Sequence, residues 1–302
     1  MTNKNNKCLC CEKNIYESKP LNLRSDDFMG VSYRYERCQS CGLVFCSPIP
    51  KSEVLTKLYS EFYNYDWYTK RAKLKRIQAW HRAMRIKKLI PKNAKTLDVG
   101  CGHGFFVNEL LKLGFDSYGY EYGLDERIIS GDERIFYYTS LSDLEMDNFD
   151  FISLWHSLEH VRNPIMTLKD LKQKMSKNGK MLVAVPNFSS IGQKLRGRNW
   201  VWLQQPYVHL WHFNSYNIKL LLSKSSLEVD SIWSVDTWDA QIYDWGIGRI
   251  LNLLNRLGCQ KMYFYANEWA RLVTTPMSYF LNPLHRILGT GSELLILSSK
   301  KE

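Results

Sequence analysis

The chain reads as an α/β protein with a cysteine-rich appendage at its N-terminus, and three observations carry that expectation. A short apolar run, Thr96 to Val99, leads into the glycine turn Gly100-Cys-Gly102-His-Gly104, after which Phe105 to Leu113 shows apolar residues at helical spacing. Further strand patterns follow at Asp116–Tyr120, Asn148–Trp155, Gly179–Asn187, Leu227–Val235 and Glu293–Ser298, with helices expected from Pro164 through Lys174 and from Ser215. Ahead of all of them stand two Cys-x-x-Cys pairs. A length of 302 residues leaves room for one large α/β domain with an appendage, or for two domains. With 45% hydrophobic and 14% aromatic residues, disordered and fibrous classes are excluded.

In chain order, the cysteines come first. Six of the eight lie within the first 46 residues, and Cys8-x-x-Cys11 is followed by Cys38-x-x-Cys41-Gly42. Each short loop presents two thiolates, and four thiolates complete a tetrahedral zinc shell, so residues 1–50 are read as a zinc ribbon with Zn²⁺ in a structural role. Two disulfides and free thiols are the alternatives, and Cys10 is close enough in sequence to replace Cys8 or Cys11 as a ligand. A closed four-thiolate site has no open position for chemistry; it holds together a segment too short to fold on its own core.

Residues 51–95 form an aromatic and basic helical linker or lid. Residues 1–95 carry twenty Lys/Arg against eight Asp/Glu, whereas the remainder of the chain is nearly balanced. Most of the excess lies between Lys70 and Lys95, which holds eleven Lys/Arg and no acid. Such a helix is either a solvated face beside the core or an attractor for an anionic substrate, phosphate or membrane surface.

The third unit, residues 96–302, opens with a strand, glycine loop and helix, the arrangement of a nucleotide-cofactor site. The residue three beyond Gly102 is Phe105, so the third glycine of the dinucleotide fingerprint is missing. With Asp98 the pattern becomes D-x-G-x-G-x-G, which resembles motif I of the class I S-adenosylmethionine-dependent methyltransferases. Leu158-Glu-His-Val161, Asn163-Pro164 and Val185-Pro-Asn187 are similar to the course of the same superfamily, in the branch that includes quinone and sugar methyltransferases. Pro206 to Asn214, containing His209-Leu-Trp-His212-Phe, resembles a segment of bacterial members that also begin with a cysteine ribbon and act in surface-glycan pathways.

The resemblance implies a Rossmann-like seven-stranded methyltransferase sheet with a helical insertion at 241–289, and S-adenosyl-L-methionine as cofactor. It implies cofactor contacts from Asp98, Gly100, Cys101, Gly102, Gly104, Glu121, Tyr122, Leu141 and Trp155, with Glu121 accepting from both ribose hydroxyls. Methyl transfer itself requires no metal. A base suited to neutral pH is a histidine, and His209 is the first candidate, His156 the second. His156-x-x-Glu159-His160 also matches the inverted zinc-protease pattern, but it follows a strand end rather than lying on a helix of a protease domain. In the quinone branch a related Glu-x-x-Glu-His group holds a divalent ion; here His156 stands for the first Glu, and Glu159 and His160 are expected to cap and pack the next turn.

The expected function is therefore methylation of a small molecule or glycan, with an anionic sugar, nucleotide-sugar or lipid-linked acceptor. RNA methylation, using ribbon and basic helix to grip phosphates, is the alternative; a non-catalytic cofactor-binding scaffold is a further one. No run of 18 apolar residues and no signal segment is present, so the expectation is a cytoplasmic protein, with amphipathic stretches in 241–289 that either pack on the sheet edge or touch the inner face of a membrane.

Overall fold

A computed structural model describes residues 7–14, 18–62, 72–122, 134–137, 141–200, 202–203, 205–236, 253, 256–259 and 280–301. Most of the 241–289 insertion and part of the aromatic run at 59–68 lie outside the described residues.

Two sheets organise the chain. The larger is built from β4 (Lys95–Val99), β5 (Asp116–Glu121), β6 (Ile135–Tyr137), β7 (Phe149–Trp155), β8 (Met175–Pro186), β10 (Leu227–Val235) and β11 (Glu293–Lys300), in spatial order β10-β11-β8-β7-β4-β5-β6. β4, β5, β6, β7 and β8 run parallel, and β11 enters antiparallel between β8 and β10. This is the seven-stranded Rossmann-like sheet expected from the sequence. Leu97, Ile152, Leu154, Val183 and Val185 are fully enclosed because helices cover both faces, and the central strands are accordingly rich in apolar residues.

One strand departs from the expectation. β8 begins at Met175, directly after the helix, instead of after a Lys-Asn-Gly turn. A side chain on Gly179 would stand 2.7 Å from the Phe149 carbonyl, so the apparent turn is an irregularity inside the strand, where its register against β7 shifts.

Helices α1 (Ser52–Phe62) and α2 (Ala72–Ile86) precede the sheet; α3 (Phe105–Lys112), α4 (Pro164–Lys174), α5 (Ile191–Arg196) and α6 (Ser215–Lys224) connect its strands. Caps set their starts. Asn163 accepts from the Met166 amide with Pro164 at the first helical position, and Asn214 and Asn217 exchange side-chain and backbone bonds in a capping box. The basic helix α2 buries Ala79, Ala83 and Ile86 against Phe106 and Leu110 of α3. Residues 280–288 are also helical.

The smaller sheet, β1 (Lys19–Phe28), β2 (Val31–Arg37), β3 (Val44–Ser47) and β9 (Trp211–His212), carries the cysteine ribbon. Its fourth strand comes from far along the chain: Val44 pairs with His212 and Phe45 with Trp211. The Cys46 amide donates to the Leu210 carbonyl at 2.8 Å, and Lys224 on α6 bonds both the Glu12 carboxylate (3.0 Å) and the Leu9 carbonyl (3.3 Å). The ribbon is thus stitched to the segment around residue 210 rather than tethered as a separate bead.

Candidate active site

The cofactor side lies at the C-terminal ends of β4, β5 and β7, where parallel α/β sheets place their clefts. Gly100, Gly102 and Gly104 all adopt positive φ. A Cβ on Gly100 would lie 2.2 Å from the Ser157 hydroxyl, and one on Gly104 would lie 2.7 Å from Ile135, so both positions require glycine for space as well as for conformation. Ser157 donates to the Val99 carbonyl at 2.8 Å, which fastens the end of β7 against the loop. Glu121, at the end of β5, accepts from the amides of Gly102 and Tyr122. Burial raises its carboxyl to about 7 against the pull of those two N–H groups.

Asp98 is 3% exposed and accepts from Ser153 at 2.7 Å; burial raises it to about 6, with the Ser153 hydroxyl and the Arg82 charge opposing. Cys101 packs toward Gly119, which has no room for a side chain beside it. Tyr122 is exposed next to Glu121, and Leu141 is buried at the start of a single 3₁₀ turn. Trp155 points the other way: its indole lies under the Arg82 guanidinium (4.8 Å) and against Phe106 (5.6 Å), so it supports the loop from within the α2 and α3 core.

Beyond the end of β7 the chain gathers four histidines, His156, His160, His209 and His212. His156 has a left-handed backbone (φ 53) and its amide donates to the Ala184 carbonyl. Its Nε2 contacts Glu293 on β11, its Nδ1 faces Glu159 at 3.3 Å, and its ring stacks on Trp202 at 4.6 Å and 7°. Burial pulls this imidazole down, but the two carboxylates outweigh it and lift it to about 9. Both nitrogens of His156 face acids, and the two carboxylates favour its protonated form, so of the two candidate bases it is the less suited to accept a proton. His156 follows directly on the end of β7 and Leu158–His160 form one 3₁₀ turn, so the inverted zinc-protease helix is absent from this segment.

His209 is 2% exposed, its Nδ1 has no hydrogen-bond partner, and burial holds it well below its ordinary pKa. Burial keeps this ring neutral, and the same lowering makes it a weaker base than a solvent-exposed imidazole until an acceptor's proton is presented to it. Its position is set from outside the large domain: the Tyr35 hydroxyl of β2 donates to the His209 carbonyl at 3.1 Å. The His160 ring meets His209 edge-on at 4.6 Å and its Nδ1 bonds the Val208 carbonyl at 2.8 Å. One donor atom each from Glu159, His160 and His209 lie within 4.8 Å of one another, a set with the composition to hold a divalent ion.

His212 sits among Tyr35, Phe188 and Trp200, with ring centroids at 4.9, 5.6 and 6.0 Å, and neither ring nitrogen has a partner. Burial depresses it to about 3. Below the unfolded histidine pKa of about 6.5 the unfolded chain takes up a proton that the fold refuses, so stability falls by about 1.4 kcal/mol per pH unit for such a group. The melting temperature is expected to drop between pH 6.5 and pH 5, and less so in His212→Phe, whose ring fills the same aromatic box without a titrating nitrogen. Thermal melts of both proteins across that range test this; parallel pH curves would refute it.

At the ribbon, the Sγ atoms of Cys8 and Cys41 are 3.6 Å apart, as are those of Cys11 and Cys38, and all four lie within 4.8 Å of one another. Tetrahedral Zn–S bonds of about 2.3 Å set S···S edges of about 3.8 Å, whereas a disulfide needs about 2.05 Å. The four thiols therefore fit a zinc ion and do not form disulfides. Hydrogen bonding between Cys8 and Cys41 draws Cys8 down toward the thiolate and pushes Cys41 up, so one proton is shared across this close pair. Cys10 stands outside this set, buried, its thiol pushed up by desolvation, and Cys46 donates to the Pro48 carbonyl. The four thiols that cluster are those of the two Cys-x-x-Cys pairs, and Cys10 is not among them.

Residues 68–232, more than half of the chain, match the family model described as a methyltransferase domain. The chain belongs to that family. The fold of the methyltransferase is similar to a SAM-dependent methyltransferase from Archaeoglobus fulgidus, with 17% identity, a TM-score of 0.50, and coverage of 78% of this chain and 100% of the other. It is similar too to a chain from the Haloferax volcanii complex of the Trm112 methyltransferase activator with a methyltransferase, at 15% identity, TM-score 0.51, and coverage of 79% and 96%. A search of curated proteins found no match.

Glu293 was not legible as a site residue, because an acid at the head of an apolar closing strand looks like a strand boundary until β11 is threaded beside β8. Trp202 and Tyr35 escaped for a similar reason: each acts on a histidine reached only through the tertiary fold.

Proposed function

We propose that the methyltransferase uses S-adenosyl-L-methionine to methylate a small molecule or glycan at a hydroxyl or activated carbon. The observation that carries the reading is the joint between the glycine loop and Glu121: three bare left-handed glycines open a backbone cradle, and one carboxylate at the next strand end stands where a ribose would offer two hydroxyls. When bound, this cofactor supplies an electrophilic methyl on a sulfonium. Gly100, Gly102 and Gly104 allow its amino-acid end to approach the backbone, Glu121 orients its ribose, and Asp98 with Ser153 fixes the strand beneath.

On the acceptor side His209 Nδ1 takes the proton released as the methyl arrives, and Trp202, stacked with both His156 and His209, keeps water away. Retention of cofactor affinity with turnover reduced by about two to four orders of magnitude is expected for His209→Ala, the range of a general base. Normal turnover of that variant would remove His209 from the role.

The basic helix does not favour RNA as acceptor. Arg76 lies over Phe105 (5.3 Å) and Arg82 over Trp155 (4.8 Å), so two of its cations are engaged on aromatic rings of the fold itself. Isothermal calorimetry with S-adenosylmethionine, its demethylated product and NAD tests the cofactor assignment. Heat from the first two and none from the dinucleotide is the expected result; the reverse pattern would overturn it.

A further inference from the structure

The helix at residues 280–288 is turned inside out. Its inner face is polar: the Asp236 amide donates to the Asn282 side chain at 2.8 Å, His285 Nε2 pairs with the Asp236 carboxylate at 2.8 Å, and His285 Nδ1 meets the Thr290 hydroxyl at 2.9 Å. Asn282 and His285 are both buried, 8% and 9% exposed. Its outer face is apolar. Phe280, Leu284, Ile287 and Leu288 are 88, 51, 81 and 60% exposed, and their spacing places them on one side of a helix. A surface helix of a water-facing domain has the opposite arrangement, because exposing large side chains forfeits their transfer free energy. Rotation cannot hide these residues, since it would break the three contacts to Asp236 and Thr290.

A second element extends the patch. The Ile191 amide at the head of α5 donates to the Thr290 carbonyl at 3.0 Å, and Ile191 and Leu195 on that helix are 50 and 73% exposed. Residues 188–202 and 280–292 together carry Lys194, Arg196, Arg198 and Arg286 and no acid. Between a second copy of this chain and an anionic bilayer, the charge decides: a two-fold contact would set one basic rim against its own image, whereas acidic headgroups complement it.

We infer that the helix at 280–288, with α5, docks the protein shallowly on an anionic lipid surface. Phe280, Leu284 and Ile287 enter the boundary between headgroups and acyl chains, while Lys194, Arg198 and Arg286 meet lipid phosphates. The inference does not depend on the identity of the acceptor. Among the described residues no helix is long and apolar enough to cross a membrane, so the contact is peripheral.

Flotation with unilamellar vesicles tests it, comparing phosphatidylcholine alone with an equimolar mixture of phosphatidylcholine and phosphatidylglycerol. The expected result is partition onto the mixed vesicles at least roughly tenfold above the neutral ones, reduced by salt, and lost in Phe280→Ser/Ile287→Ser and in Arg198→Gln/Arg286→Gln. Calorimetric binding of S-adenosylmethionine, unchanged in the variants, shows that they fold. No flotation of the native protein with that binding intact would overturn the inference. So would flotation that survives both double substitutions, which would assign the contact to another basic surface. Light scattering that shows a dimer dissolved by Phe280→Ser/Ile287→Ser, without vesicle binding, would give the face to a second copy instead.

Discussion

Glu121→Ala is expected to weaken S-adenosylmethionine binding by two to three orders of magnitude, the largest loss from any one substitution on the cofactor side. A carboxylate that accepts from two hydroxyls makes two charge-assisted hydrogen bonds, each worth about 1.5–3 kcal/mol, and about 1.4 kcal/mol is a factor of ten. Alanine also strands the Gly102 and Tyr122 amides that Glu121 now satisfies. The pH dependence distinguishes this role from simple packing. Only the ionised carboxylate accepts from both hydroxyls, and burial places its pKa in the free protein at about 7. Affinity should hold above that pH and fall roughly tenfold per unit below it, about a hundredfold by pH 5. Glu121→Gln should be weak and flat with pH. Calorimetric titrations at pH 8, 7, 6 and 5 measure both, and a pH-independent affinity for the native protein would reject the assignment.

Cys41→Ser, or removal of the metal by a chelator, is expected to unfold the ribbon and to disorder the acceptor side while leaving cofactor binding in place. Structural zinc binding in small domains is worth about 10 kcal/mol or more, comparable with the whole stability of a domain. The effect travels because β9 belongs to the ribbon's sheet. Losing β3 removes its pairing with Trp211 and His212, the Cys46 bond to Leu210, and with β2 the Tyr35 bond to His209. Residues 98–121 rest on the other sheet and have no such debt. The native protein should carry one zinc per chain, and the variant none. Its tryptophan emission should change as Trp200 and Trp211 lose burial, and S-adenosylmethionine should still bind. Loss of cofactor binding together with the metal, or an unchanged melting curve without it, would show that the coupling is drawn wrongly.

Much of the fold was legible in the sequence because its signals are local. Strand, glycine turn and helix at 95–112 depend on neighbours in the chain, and the strands at 149–155 and 227–235 announce themselves through recurring apolar and aromatic residues between short polar ones. The two Cys-x-x-Cys pairs named the four thiols that come together because knuckle geometry is a matter of two or three residues. The beginning of β8 was misplaced for the same local reason: Lys-Asn-Gly has the composition of a turn, and only the Phe149 carbonyl pressed against Gly179 turns it into a strand irregularity.

His156 shows the limit. A histidine beside a cofactor loop has the chemistry of a base, and nothing within five residues says otherwise except Glu159. Its second acid, Glu293, lies 137 positions away and arrives only because the last strand inserts antiparallel between β8 and β10. By itself the sequence determined the glycine loop, the cluster of four cysteines and six of the seven strands, since covalent spacing places those groups; the three-residue β6 was too short to read. Tertiary structure alone decided which histidine faces two acids, that the ribbon shares a strand with the acceptor side, and that helix 280–288 turns its apolar face outward. Protonation and solvent exposure are set by whatever groups come to lie within a few ångströms, and those neighbours are chosen by the fold.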